Sequence, residues 1–166
     1  MLPRAEMSDG CILQVEDEEP YVFLLQLMFE RAGITNPLHV VTDGQMAMDY
    51  LAGVGPFADR QKHPLPSLLL LDLKLPKVLG LDVLKWIRQQ PELRRLVVIV
   101  LSASAHPDDV ERAYELGANS YIEKPLELDR TLEIMKLLKG WWLESNQFSP
   151  ITAPSDPDTP QPSSEE

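Results

Sequence analysis

Glu16-Asp17, Asp72, Ser102 and Lys124 stand at or just past the C-terminal ends of four separate apolar runs, 11–15, 68–71, 97–101 and 121–122. If those runs are strands of one parallel sheet, the sites converge on a single edge. That edge then carries three carboxylates, a hydroxyl and an ammonium. Asp17 and Asp72 would repel each other unless a cation lay between them. Hard oxygen ligands at an exposed rim suit Mg²⁺, which keeps several waters and takes only one or two carboxylates directly. Glu16 can hold one of those waters. Asp72, preceded by four leucines and followed by Leu73-Lys74-Leu75-Pro76, is the candidate nucleophile. A carboxylate attacking a phosphorylated donor forms an acyl phosphate. Lys124 can pair with Asp72 at rest and with the phosphoryl group afterwards. Ser102 can donate to the same group, with Ala103 leaving room beside it. Each residue alone has a plainer reading: an acid capping the next helix, a turn serine, a solvated lysine at a strand end. Their joint placement on one rim favours the chemistry.

The elements that must position these residues are legible as alternating strands and helices. Strands are expected at 12–15, 38–41, 68–71, 97–101 and 121–123. The third is four consecutive leucines, as expected of a central strand covered on both faces. The fourth is rich in β-branched residues. Helices are expected at 18–32, at 44–52 behind an Asp43 cap, and at 80–90, 107–116 and 127–143. Pro20 is acceptable in a first turn, and Gly33 and Gly53 serve as stops. The segment 53–67, with Pro56, Pro64 and Pro66, is long for a connection and reads as a surface loop with a role of its own. Five strand–helix units predict an α/β fold, a doubly wound parallel sheet of order 2-1-3-4-5 with helices on both faces, the flavodoxin-like arrangement. Strands one and three are then neighbours at the switch point, where such sheets bind ligands.

The chain's 166 residues suffice for one domain. Residues 1–10 are expected to form an N-terminal extension and 11–144 the domain. Residues 145–166, with five prolines and five serines, form an acidic tail that cannot build a core and is expected to be disordered. The net charge of −11, with no basic patch, argues against nucleic-acid binding. No apolar run approaches the roughly 20 residues of a membrane span, and the N-terminus lacks a signal-peptide layout. Cys11 stands alone at the start of an apolar run, so it reads as a buried thiol in a cytoplasmic protein.

Four pieces together resemble the receiver domain of bacterial two-component response regulators, the CheY-like family. They are Ile12-Leu13-Gln14-Val15-Glu16-Asp17, Leu70-Leu71-Asp72-Leu73-Lys74-Leu75-Pro76, Val98-Ile99-Val100-Leu101-Ser102-Ala103 and Tyr121-Ile122-Glu123-Lys124-Pro125. The resemblance implies that Asp72 accepts phosphate from a histidine kinase. It also implies that Asp17, Asp72 and the backbone carbonyl of Lys74 hold Mg²⁺, with Glu16 acting through water. Ser102 and Tyr121 would form the switch, and Lys124-Pro125 would match a pair whose peptide bond is commonly cis. Lys74 and Ser104 stand where members tune the lifetime of the phosphate. One departure is Leu79, where an acidic or amide residue usually precedes the glycine; another is Ser102 in place of threonine.

With no second folded domain expected, the signal must leave through contact with another, unknown protein. The family's usual face for this is helix four, strand five and helix five, which is also a route to a homodimer. Trp141 and Trp142 point about 100° apart on a helix, so at least one is expected to be exposed. The loop at 53–67, the Leu-Pro-Lys after Asp72 and the aromatic end of helix five are similar to single-domain regulators paired with bacterial phytochrome kinases. Beyond self-phosphorylation and self-dephosphorylation no enzyme activity is expected. An aspartate-nucleophile phosphohydrolase would need an acid where Lys74 stands, and a flavin phosphate would be repelled by residues 16–19. A receiver-like adaptor that is never phosphorylated is the remaining alternative.

Overall fold

The computed structural model describes residues 10–151. The element order is β1 (Ile12–Val15), α1 (Glu19–Ala32), β2 (Leu38–Val41), α2 (Gly44–Ala52), β3 (Leu68–Leu71), α3 (Gly80–Gln89), β4 (Val97–Ser102), α4 (Pro107–Glu115), β5 (Ser120–Glu123) and α5 (Leu128–Leu138). The five strands form one parallel sheet of order β2-β1-β3-β4-β5, as expected. Alternation along each strand divides its side chains between two cores. Leu13, Val15, Leu69, Leu71 and Val98 face one side with Ala47, Leu51, Val83 and Ile87. Ile12, Leu68, Leu70, Ile99 and Leu101 face the other with Leu25, Met28, Met135 and Leu138. The four β3 leucines are essentially inaccessible, each worth roughly 2–3 kcal/mol of burial.

Helix ends follow local chemistry. Asp43 accepts the Met46 amide at 2.7 Å and so caps α2. Helix α3 starts behind Leu79, which offers no side-chain cap; relative to a capping aspartate or asparagine this costs about 1 kcal/mol. The loop after α2 is well tied. Its 3-10 turn, Gly55–Phe57, buries Phe57, the Tyr50 hydroxyl donates to Pro64 O at 2.9 Å, and the Arg60 guanidinium donates to the Tyr50 and Leu51 carbonyls. Arg60 thereby satisfies the Leu51 carbonyl that the end of α2 would leave open, and adds a second donor to Tyr50 O, which already accepts the Gly53 amide.

Two expectations need correction at the C-terminal end. Regular α-helix stops at Leu138, not 143, and a π-helical turn, Lys139–Ser145, follows. Gly140, a poor helix former, lies in this turn. Trp142 then packs half-buried against the core while Trp141 is 66% exposed. Disorder from 145 onward is also too early a boundary. Residues 146–151 have no regular structure, yet Phe148 packs against one core and Ile151 against the other. The apolar side chains of this segment find cover against the two cores, which its proline and serine content concealed. The rest of the expected tail, 152–166, and the extension before Gly10 lie outside the described residues.

Phe148→Ala should lower stability by about 1–2 kcal/mol, a fraction of the full cost of truncating a buried phenylalanine. Thermal or denaturant unfolding measures it. An unchanged midpoint would mean that the segment after 145 does not pack.

Candidate functional site

Two backbone bonds past the strand ends begin the site. The Glu16 amide donates to Val41 O at 3.0 Å and the Asp72 amide to Val15 O at 3.1 Å. With Val15 paired to Leu71, Glu16 and Asp72 are set side by side at the switch point. On the far side, the Lys124 amide donates to Ser102 O at 2.7 Å, which turns Lys124 inward from the end of β5. Its Nζ lies 2.7 Å from Glu16 Oε2 and 3.3 Å from Asp72 Oδ2. The remaining oxygens are also engaged: Asp72 Oδ1 accepts the Leu73 amide at 2.8 Å, and Glu16 Oε1 accepts the Glu18 amide at 3.2 Å.

Glu16 and Asp72 are 1% and 6% exposed, and the Lys124 side chain 9%. Asp17 stands exposed at the rim. One oxygen from each of Glu16, Asp17 and Asp72 lies within 4.8 Å of the others. Three hard oxygen donors with more negative charge than one ammonium balances fit a divalent cation. Burial pushes the Glu16 carboxyl up to about 7; the Lys124 hydrogen bond opposes that rise and the Asp72 charge adds to it. Glu16 is therefore more than a holder of water, because one oxygen is already committed to Lys124.

The loop after Asp72 is fixed by two close approaches. A Cβ on Gly80 would meet Asp72 O at 2.1 Å, and one on Gly44 would meet Val78 O at 2.0 Å. Only glycine permits these contacts. The Gly80 amide donates to Leu73 O at 2.9 Å, and Lys77, at φ 65°, reaches Asp43 Oδ2 at 3.2 Å. Lys74, within this loop, has an exposed side chain.

Ser102 is fully buried at the end of β4, and its hydroxyl accepts the Ser104 amide at 3.2 Å. The Ser104 hydroxyl donates to Asp109 and accepts the His106 amide, tying the loop to the first turn of α4. The Tyr121 hydroxyl donates to Ser104 O at 2.8 Å, with its ring against the cluster of Leu73, Val100 and Ala113. The two residues expected to form a switch thus meet on one segment, 102–104. Among the described residues no peptide bond is cis, so Lys124-Pro125 is trans, contrary to the expectation; proline allows both forms and trans is the commoner.

Sequence reasoning missed Tyr21, whose ring centroid lies 4.2 Å from Lys124 Nζ. It also missed Asp109. The available signal for Tyr21 was an aromatic residue in the first turn of the helix that follows Glu16-Asp17.

The model of the response regulator receiver domain matches residues 12–136. The chain belongs to this family of two-component signalling proteins, whose members are in general not enzymes. It is 37% identical over 134 residues to response regulator Rcp1 of Synechocystis sp., covering 81% of this chain and 89% of Rcp1. The Mn²⁺-bound crystal structure of Rcp1 matches with a TM-score of 0.77, over 85% of this chain and 99% of that one. A probable methanogenesis regulatory protein, FilR2 of Methanothrix harundinacea, is 38% identical over 136 residues, 82% of this chain and 85% of FilR2. The phosphorylated cyanobacterial phytochrome response regulator RcpA is 35% identical with a TM-score of 0.78, over 84% of this chain and 97% of RcpA. Among the described residues no helix is long and apolar enough to cross a membrane.

A pH dependence follows from Glu16. Its folded pKa of about 7 lies above the ordinary glutamate value of 4.5, so over that window the folded state binds the proton more tightly than the unfolded state. Stability of the cation-free protein should therefore fall as pH rises through the window, and Glu16→Gln should flatten that slope. A divalent cation needs the ionised acids, so it should raise the unfolding midpoint more at about pH 8 than at about pH 6. Melts with chelator and with MgCl₂ would show this; a cation effect independent of pH would contradict it.

Proposed function

We propose that this protein is a response regulator that accepts a phosphoryl group on Asp72 from a histidine kinase and passes the signal on by protein contact. The observation that carries the reading is Lys124 shared between Glu16 and Asp72, with Asp17 at the rim beside them. An Asp72 carboxylate oxygen attacks phosphorus; the bond from phosphorus to the donor nitrogen breaks, and its electron pair leaves with the imidazole. Asp17, Asp72 and the Lys74 carbonyl would hold Mg²⁺, with Glu16 acting through water, and the ion would supply charge neutralisation for the transferring oxygens. Lys124 exchanges a carboxylate for a phosphoryl oxygen, keeping a charge-assisted hydrogen bond throughout. The Ser102 hydroxyl gives up the Ser104 amide to donate to the phosphoryl group, and Tyr121 follows. Lys74 and Ser104 set how long the acyl phosphate lasts. Activity is limited to self-phosphorylation and self-dephosphorylation.

The kinase partner is of the phytochrome class, a reading supported by the similarity to the phytochrome response regulator RcpA. The buried, unpaired Cys11 fits a cytoplasmic protein. For output, a groove of about 800 Å³ runs along β5 and α5, lined by Ile122, Leu126, Ile134, Leu137 and Trp141 among others. Leu126 and Trp141 are exposed there, and β5 is a sheet edge with unpaired backbone groups. This face, with α4, receives the downstream protein and a second copy of the chain.

Incubation with phosphoramidate and Mg²⁺ should add one phosphoryl group to the wild type and none to Asp72→Asn, read by intact mass. Lys124→Ala should slow uptake at least about tenfold. If the wild type gains nothing, the reading fails. In the same assay, substituting both Lys74 and Ser104 should change the decay rate; an unchanged rate removes them from that role. Light scattering should show a dimer, with or without a phosphoryl mimic, and a monomeric mass in both states would exclude the second copy.

A further inference from the structure

Lys124 Nζ has three N–H donors and, in the described structure, two oxygen partners, Glu16 Oε2 and Asp72 Oδ2. The face of the Tyr21 ring lies 4.2 Å from the same nitrogen. An aromatic face attracts an ammonium through its quadrupole and takes up none of the oxygens that the chemistry needs. Tyr21 is half-buried in the first turn of α1 and packs against the core between the sheet and α5. Its hydroxyl is buried with no hydrogen-bond partner among the described residues, so the hydroxyl does not fix the ring. A buried phenol without a partner is unfavourable. What the side chain supplies at this position is therefore the ring face and the exclusion of water from Lys124.

We propose that Tyr21 is a positioning residue for phosphoryl transfer: its ring holds the Lys124 ammonium against Glu16 and Asp72 and keeps it there while its anionic partners change. The inference rests on Asp72 being the phosphoacceptor. When an Asp72 oxygen bonds to phosphorus, that carboxylate loses its charge and the transferred group brings new anionic oxygens. An unsupported lysine, with four rotatable side-chain bonds, could relax toward solvent at that moment. The ring is present before and after transfer, so the ammonium has one partner that does not change. Phenylalanine should serve as well as tyrosine, and an apolar residue without a ring should not.

The test compares wild type, Tyr21→Phe and Tyr21→Leu, with Asp72→Asn as control. The methylene next to Lys124 Nζ, observed by carbon–proton NMR in the cation-free protein, should show an upfield ring-current shift in wild type and Tyr21→Phe that is lost in Tyr21→Leu. This readout needs no phosphorylation. Phosphoramidate and Mg²⁺ should phosphorylate Tyr21→Leu about fivefold more slowly than wild type, and Tyr21→Phe within about twofold. A core-packing role alone would move the unfolding midpoint and leave the Lys124 shift in place. Wild-type protein without the shift, transfer by Tyr21→Leu at the wild-type rate, or a Tyr21→Phe as slow as Tyr21→Leu would each overturn the proposal. If Tyr21→Leu does not fold, Tyr21→Met takes its place, and the wild-type shift alone still decides the geometry. A normal shift with no phosphoryl gain in wild type would instead defeat the phosphoacceptor reading and leave the contact intact.

Discussion

Two carboxylates buried side by side at the end of a parallel sheet are tolerable only if a positive charge is shared between them. Lys124 does this from the far edge of the sheet, within 2.7 Å of Glu16 and 3.3 Å of Asp72. At such distances each attraction is about 5 kcal/mol for an effective dielectric near 20, comparable with the several kcal/mol that burying each ion costs. The cluster is thus close to balanced, and small changes in its charge have large consequences. Asp17 beside it leaves the rim with an excess of negative charge, which favours a cation. A phosphoryl group replaces one carboxylate charge with a larger one a few ångströms further out. The same near-balance explains why Glu16 keeps a raised affinity for a proton while paired with a lysine.

Holding these charges in place depends on strand order more than on any single contact. Neighbouring β1 and β3 bring residues 56 positions apart in the chain, Glu16 and Asp72, to the same level. The path through β4 to β5 carries Lys124 back to them. The backbone around Asp72 is held from behind by Gly80 and by the loop seated on Gly44. The carboxylate is therefore placed by main chain, which cannot relax by changing rotamer.

Much of this was legible in the sequence because uniformly apolar runs such as Leu68–Leu71 admit one environment, a strand covered on both faces. Once their order was known, the residues after them had to share an edge. What escaped notice depended on side-chain direction and on long-range packing. Tyr21 could be read as an aromatic residue at helical spacing, but not as one lying over a lysine from another strand. Phe148 and Ile151 sit among prolines and serines, so composition spoke for disorder while two apolar side chains sufficed to pack the segment. The end of α5 was misjudged because a periodic apolar pattern continues through Gly140, and periodicity does not separate an α-turn from a π-turn.

The connection from the rim to the β5–α5 face runs through one short segment. Ser102 holds the Ser104 amide with its hydroxyl, Ser104 holds Asp109 of α4, and the Ser104 carbonyl holds Tyr121 of β5. In the proposed reading, a Ser102 side chain that swings toward a phosphoryl oxygen to donate its O–H leaves the Ser104 amide behind. That amide, only half-buried, then needs another partner, in the protein or in water. The cheapest response is a shift of the segment as a whole, and Asp109 and Tyr121 are both tied to it. A local change of one hydrogen bond at the rim is thereby converted into a displacement shared by α4 and β5, the two elements that flank the exposed face.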